Sequence, residues 1–157
     1  ELVTIGQEVE YVRSYLTIQK MRYKDKLEFE INVDPRITHA QIIRLVLQPI
    51  VENAIYHGLK YKESKGMLKV HGYELGERII IDITDDGVGM DEETLKHIYD
   101  KHKVNYHSNG VGVYNVQQRL VLYYGKEYGI IYHSEKGKGT TATVVIPKKQ
   151  EDVHEKI

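Results

Sequence analysis

The apolar period along this chain switches repeatedly between three-or-four residues and two, which restricts the fold to a mixture of helices and strands. Residues 2–24 place Leu2, Ile5, Val9, Val12 and Leu16 at alternating steps of three and four, with Glu8, Glu10, Arg13 and Lys20 expected on the surface. That spacing predicts an amphipathic helix, read first as packed on its own domain and, as the alternative, as the stub of a helix pairing with a partner or a second copy. Lys26–Val33 alternates, with Leu27, Phe29, Ile31 and Val33 on one face, and reads as a half-buried strand stopped by Asp34-Pro35. Thr38 is the expected N-cap of a helical run to about Leu59, with Gly58 near its end and Pro49 either kinking it or marking its true start. Strands at about 67–74 and 78–85 follow, joined by a hairpin turn at Leu75-Gly76-Glu77. A short helix near 91–99, a helix from about Gly112 to Tyr124, and strands near 128–134 and 140–146 complete the pattern. Helices preceding blocks of mostly antiparallel strands give an α+β fold, a two-layer α/β sandwich with helices on one face of a mixed sheet.

Composition narrows the function. With 22 Lys+Arg against 23 Asp+Glu, the chain lacks the basic excess of a nucleic-acid binder. The absence of Cys excludes disulfides, thiolate metal sites and thiol catalysis. No apolar run approaches the length of a membrane span, and no leader pattern opens the chain, so it reads as a cytoplasmic piece of something longer. The polar tail, residues 149–157, is expected to fray.

Four segments carry candidate chemistry. In Ile83-Thr84-Asp85-Asp86-Gly87-Val88-Gly89-Met90 a strand delivers a carboxylate to its end, where it can accept a hydrogen bond from an exocyclic amine such as that of adenine. Asp-Asp-Gly is equally an ordinary turn. Gly110-Val111-Gly112 opens a helix, whose unpaired N–H groups and positive dipole end attract phosphate; the same glycines also suit a plain hinge. Gly137-Lys138-Gly139-Thr140 by itself is a hairpin turn. Glu52-Asn53-Ala54-Ile55-Tyr56-His57-Gly58 places Asn53, a poor helix former with a neutral oxygen suited to Mg²⁺, in an otherwise apolar helix. The eight histidines show no paired metal-ligand spacing, and no Gly-x-Ser-x-Gly elbow occurs.

Together and in this order, Leu47–Gly58, Asp85–Met90, Gly110–Leu120 and Gly137–Thr140 resemble the N, G1, G2 and G3 boxes of the GHKL ATP-binding superfamily. Their wording, with that of residues 2–22, is similar to the LytS/YesM-type sensor histidine kinases. The resemblance implies a Bergerat-type fold with residues 1–24 as a linker helix at the end of the dimerisation region and 25–148 as the ATP-binding catalytic domain. It implies ATP and Mg²⁺ as cofactors, Asn53 as the Mg²⁺ ligand and Asp85 as the adenine reader. Gly87, Gly89, Gly110, Val111 and Gly112 would line the nucleotide, Gly137, Gly139 and Thr140 would close the far side, and His57, Lys60, Asn115 and Arg119 would neighbour the phosphates or the motif framework. Residues 92–109 would form a loosely ordered lid, from which Lys101 and Lys103 reach phosphate.

Two departures bear on mechanism. The ATP-hydrolysing members keep a water-activating glutamate one turn before the metal-binding asparagine; here Pro49 stands there, and Glu52, adjacent to Asn53, projects about 100° away. No histidine has the setting of a phosphoacceptor, so the resemblance implies transfer of the γ-phosphoryl to a histidine upstream of this fragment. The expected partners are the chain's own upstream dimerisation helices, in a homodimer, and the receiver domain of a response regulator, with the whole a membrane-bound sensor. The alternatives are an ATP-hydrolysing GHKL enzyme, a serine kinase of the anti-sigma-factor type, and a non-catalytic nucleotide-binding dimerisation scaffold.

Overall fold

The computed structural model describes residues 1–98 and 110–149. Seven strands, β1 (Leu2–Thr4), β2 (Leu27–Val33), β3 (Gln41–Ile43), β4 (Gly66–Leu75), β5 (Arg78–Asp85), β6 (Gly129–Glu135) and β7 (Gly139–Pro147), alternate with helices α1 (Ile5–Tyr23), α2 (Leu47–Asn53), α3 (Glu92–His97) and α4 (Gly110–Tyr124). The main sheet runs β2-β4-β5-β7-β6, with β2 and β4 parallel and every other pair antiparallel. Strand periodicity sends Leu68, Val70, Ile79, Ile81, Ile83, Val144 and Ile146 to one face. There they share a single core with Val9, Val12 and Leu16 of α1, Leu47, Ile50 and Val51 of α2, and Val116 and Leu120 of α4. The opposite face is mixed: Ile80 and Val145 are buried there, but Asp82 accepts from Tyr73 Oη (3.1 Å) and Thr143 Oγ1 (2.6 Å), and Lys69 and His133 face solvent. The α+β sandwich expected from periodicity is the fold observed.

Three local expectations are corrected. Helix α1 starts at Ile5, because Thr4 and Gln7 form a reciprocal capping box (3.1 and 2.9 Å) and Leu2–Thr4 instead pairs with β3. The run predicted from Thr38 to Leu59 is not one helix. Thr38 Oγ1 donates back to the Pro35 carbonyl (2.8 Å), β1 draws Gln41–Ile43 into a strand, and α2 begins at Leu47 with Pro49 in its first turn, where a missing N–H costs nothing. Glu8, expected on the surface, is 2% exposed.

The apolar seam of α1 (Ile5, Val9, Val12, Leu16) lies in the core, so the helix packs on its own domain, as its spacing predicts. The boundary expected between residues 24 and 25 therefore runs through a core that both sides share.

Candidate functional site

After Asn53 the α2 helix widens into a single π-helical turn, Ala54–Leu59, in which the Lys60 N–H reaches back to the Ile55 carbonyl (2.9 Å). Such turns insert one extra residue, and they recur at functional sites. Here the turn swings Gly58 against the end of β5. A Cβ on Gly58 would stand 2.6 Å from Asp85 Oδ1, and a Cβ on Gly87 would stand 2.2 Å from the Gly58 carbonyl oxygen. The Val88 N–H donates to that same carbonyl (3.1 Å). On the other side, Gly89 (φ +68°) leaves no room for a Cβ beside the Glu135 carbonyl, and Gly139 (φ +117°) none beside the Asp85 carbonyl. The loop 86–90 is thus wedged between the π-helical turn and the β6–β7 turn, backbone on backbone. Ser134 ties its exit: Oγ accepts from the Met90 N–H (2.7 Å) and pairs with Thr140 Oγ1 (2.7 Å).

This wedging buries Asp85 to 4% exposure. Its Oδ1 accepts from the Gly87 N–H at 2.9 Å. Burial, with the Asp86 charge adding to it, pushes the Asp85 carboxyl up to about 6, while the N–H groups of Gly87 and Thr140 and the Lys62 ammonium pull the other way. Asn53 (7% exposed) and His57 line the same pocket as Asp85, with Ile50, Ile83, Met90 and Ala142 as its apolar walls. Burial also lowers the pKa of His57, which stays neutral at pH 7. A carboxylate at the floor, a neutral amide oxygen on one wall and apolar faces between them suit a flat heteroaromatic base with a polar appendage. The pocket holds about 20 Å³, roughly the room of one water.

The comparisons with known proteins decide the family. Residues 38–150 match the model of the "Histidine kinase-, DNA gyrase B-, and HSP90-like ATPase" family, which covers more than half of the chain. The chain belongs to this family. It is 33% identical to the sensor histidine kinase YesM of Bacillus subtilis over 98% of its length. It is 30% identical to the sensor protein LytS of Bacillus cereus over 94%, and 29% identical to the sensor histidine kinase BtsS of Escherichia coli over 96%. It spans 25% of the length of each of these relatives. The fold is that of the catalytic domain of the histidine kinase ThkA (TM-score 0.71, 14% identity, 96% of this chain and 99% of that one). It is likewise that of the histidine kinase domain of an Erythrobacter litoralis blue-light activated kinase (TM-score 0.64, 18% identity, 92% and 61%).

Within this histidine kinase-like domain the structure brings together Asn53, His57, Asp85, Gly89 and Thr140 around one pocket. Gly58, Gly87 and Gly139 meet neighbouring backbone and the Asp85 carboxylate, so each is demanded by packing. Two predicted residues lie elsewhere. Lys60 stacks over Tyr56 (4.5 Å) and lines a separate cavity with Tyr23 and Leu27. Arg119 points to the segment before α2, its Nη1 donating to the Leu45 carbonyl (3.1 Å) and Nη2 to that of Arg44, so it serves the framework and not the pocket. Gly110, Val111 and Gly112 form the first turn of α4, and a Cβ on Gly112 would stand 3.3 Å from Pro49 Cβ. Lys101, Lys103 and most of the expected lid lie outside the described residues.

Sequence reasoning missed two contributors. Nothing in the pattern marks Ser134. Glu8 was legible, since it sits three residues after Ile5 and four before Val12, on the buried stripe and not opposite it.

Proposed function

We propose that this domain binds ATP with Mg²⁺ and presents the γ-phosphoryl to a histidine outside this chain, as the catalytic ATP-binding domain of a two-component sensor histidine kinase. The observation that carries the reading is the buried Asp85 carboxylate at the floor of an apolar pocket, held there by the Gly87 N–H, as the group that would accept from an exocyclic amine. Asn53 on the pocket wall would supply a neutral oxygen to Mg²⁺. Among the described residues no cluster of three acidic or histidine side chains is placed to hold a metal by itself, which fits an ion shared with phosphates. When bound, Mg²⁺ neutralises the charge on the phosphate oxygens. The first turn of α4 offers N–H groups to the phosphates.

Pro49 supports transfer over hydrolysis. It occupies the position where a hydrolytic base would stand and packs against Gly112. The imidazole nitrogen of the acceptor would attack the γ-phosphorus while the bond to the bridging oxygen breaks and ADP leaves, with positioning doing most of the work. The acceptor lies on dimerisation helices upstream, and a receiver domain takes the phosphoryl group in turn. Such a sensor kinase would hold this domain on the cytoplasmic side of a membrane-anchored protein; among the described residues no helix is long and apolar enough to cross a membrane.

Calorimetric titration with ATP and Mg²⁺ tests the nucleotide reading: saturable binding is expected, and its absence, or equal binding by Asp85→Asn, overturns the adenine assignment. Labelled ATP with a separately produced upstream segment tests transfer. Acid-labile, base-stable label on that segment is expected, and steady phosphate release without it would instead favour an ATPase.

A further inference from the structure

Helix α2, which carries Asn53, has no cap of its own. Val46 at its N-cap position offers no side-chain acceptor, yet the first N–H groups of a helix need partners. They find one on α1. Glu8 Oε1 accepts from the Leu45 N–H (2.7 Å), and Oε2 accepts from both the Val46 and Leu47 N–H groups (3.1 Å each). A carboxylate buried to 2% exposure is costly unless its lone pairs are filled, and here three amides and the positive end of α2 fill them.

The carbonyls of the same short connector turn the opposite way. Those of Arg44 and Leu45 accept from the Arg119 guanidinium on α4, and the Ile43 N–H donates to Tyr124 Oη at 3.2 Å. Leu45 adopts φ +61°, which a branched apolar residue takes up only when its surroundings over-determine it. That conformation lets one peptide offer its N–H to α1 and its carbonyl to α4. At the third residue of α2, Pro49 rests on Gly112, so the helix is also braced sideways by the first turn of α4.

We propose that Glu8 and Arg119 form a clamp on residues 44–47 that sets the position of α2, and that Glu8 is thereby a positioning residue through which α1 governs the nucleotide pocket. The proposal rests on the nucleotide reading above. Its physical basis is that α2 and its π-helical turn form one continuous element from the clamp to Asn53, His57 and Gly58. Asn53, His57 and Gly58 stand on that element in the pocket wall, so a small displacement of it reshapes the pocket directly. An interaction between charged side chains and backbone at one end is adjustable, whereas the glycine wedge at the other is not.

The test uses this chain and two measurements. Glu8→Gln keeps the side-chain size but replaces one acceptor oxygen by a donor facing N–H groups. Calorimetric titration with ATP and Mg²⁺ should show affinity about tenfold weaker in Glu8→Gln. Thr143→Val, which removes a hydrogen bond on the far face of the sheet, should leave affinity unchanged at comparable stability. The second readout needs no nucleotide: the Asn53 side-chain amide resonances should shift in Glu8→Gln and stay in place in Thr143→Val. Arg119→Lys, which loses one of the two carbonyls, should shift the same resonances, and the Glu8→Gln/Arg119→Lys double variant should be less affected than the two single effects added. If Glu8→Gln does not fold, Arg119→Lys carries both measurements alone. Unmoved Asn53 resonances with wild-type affinity would overturn the clamp. Failure of the unaltered chain to bind ATP would overturn the nucleotide reading and leave the resonance test standing.

Discussion

The continuous helix from Leu47 to Leu59 is held in two different ways at its two ends. At its start the grip is electrostatic and distant in sequence: Glu8 takes the N–H groups and Arg119 the carbonyls of the connector. At its end the grip is steric: the Gly58 carbonyl and the Asp85 carboxylate fill the space where side chains at Gly87 and Gly58 would be. A steric wedge fails abruptly when one methyl is added. A charged clamp weakens by degrees. The difference assigns precision to the pocket end and adjustability to the end nearer α1.

Gly87→Ala should break the wedge outright, since its Cβ would lie 2.2 Å from backbone that cannot move without β5. A loss of about 4 kcal/mol or more in urea unfolding is expected. A loss below about 1 kcal/mol would show that the wedge yields.

Asp85→Asn separates stability from binding at the same end. The folded-state pKa of Asp85, about 6, lies above its ordinary value of 3.8, so the folded state binds the proton more tightly. Its contribution to stability is therefore full at low pH and is lost as pH rises through about 6. ATP affinity should run the opposite way, rising through the same window as the carboxylate ionises. Asp85→Asn should be more stable than the unaltered chain at pH 8 by on the order of 3 kcal/mol, yet bind ATP roughly a hundredfold more weakly. His57, lowered by burial, contributes a loss of stability toward acid. The Asp85 term is therefore read as the difference between the two proteins' pH profiles.

At the other end, Thr4→Ala removes the α1 capping box and should cost about 1 kcal/mol in thermal unfolding, without the Asn53 resonance shift expected of Glu8→Gln. The smallest effect belongs to Gly112→Ala. Its Cβ would meet only Pro49 Cβ at 3.3 Å, and the helix preference of Ala offsets that crowding, so stability should change by less than about 1 kcal/mol.

Much of this was legible because it is local. Period-two alternation sets Leu27–Val33 as a strand, and which side faces the core follows. Asp85 was identifiable as a carboxylate delivered to a strand end, and Asn53 as a polar residue on an apolar helix. For Arg119 and Lys60 the sequence left open whether they serve phosphate or framework, because proximity to a motif says nothing about which way a long side chain extends. The extent of the predicted Thr38 helix failed for the same reason: Gln41–Ile43 becomes a strand only because β1 is there to pair with it.

The sequence by itself determined the α+β class, the family and three segments that line the pocket, because period, turn chemistry and residue type act within a few residues of one another. Only the tertiary structure decided what the glycines are for, that α2 opens at Pro49 and widens after Asn53, and that its cap is a glutamate on another helix. Those are consequences of groups meeting across 29 to 54 positions, from Glu8 to Leu45–Leu47, Gly58 to Gly87 and Asp85 to Gly139. No local pattern carries the position of a distant carbonyl.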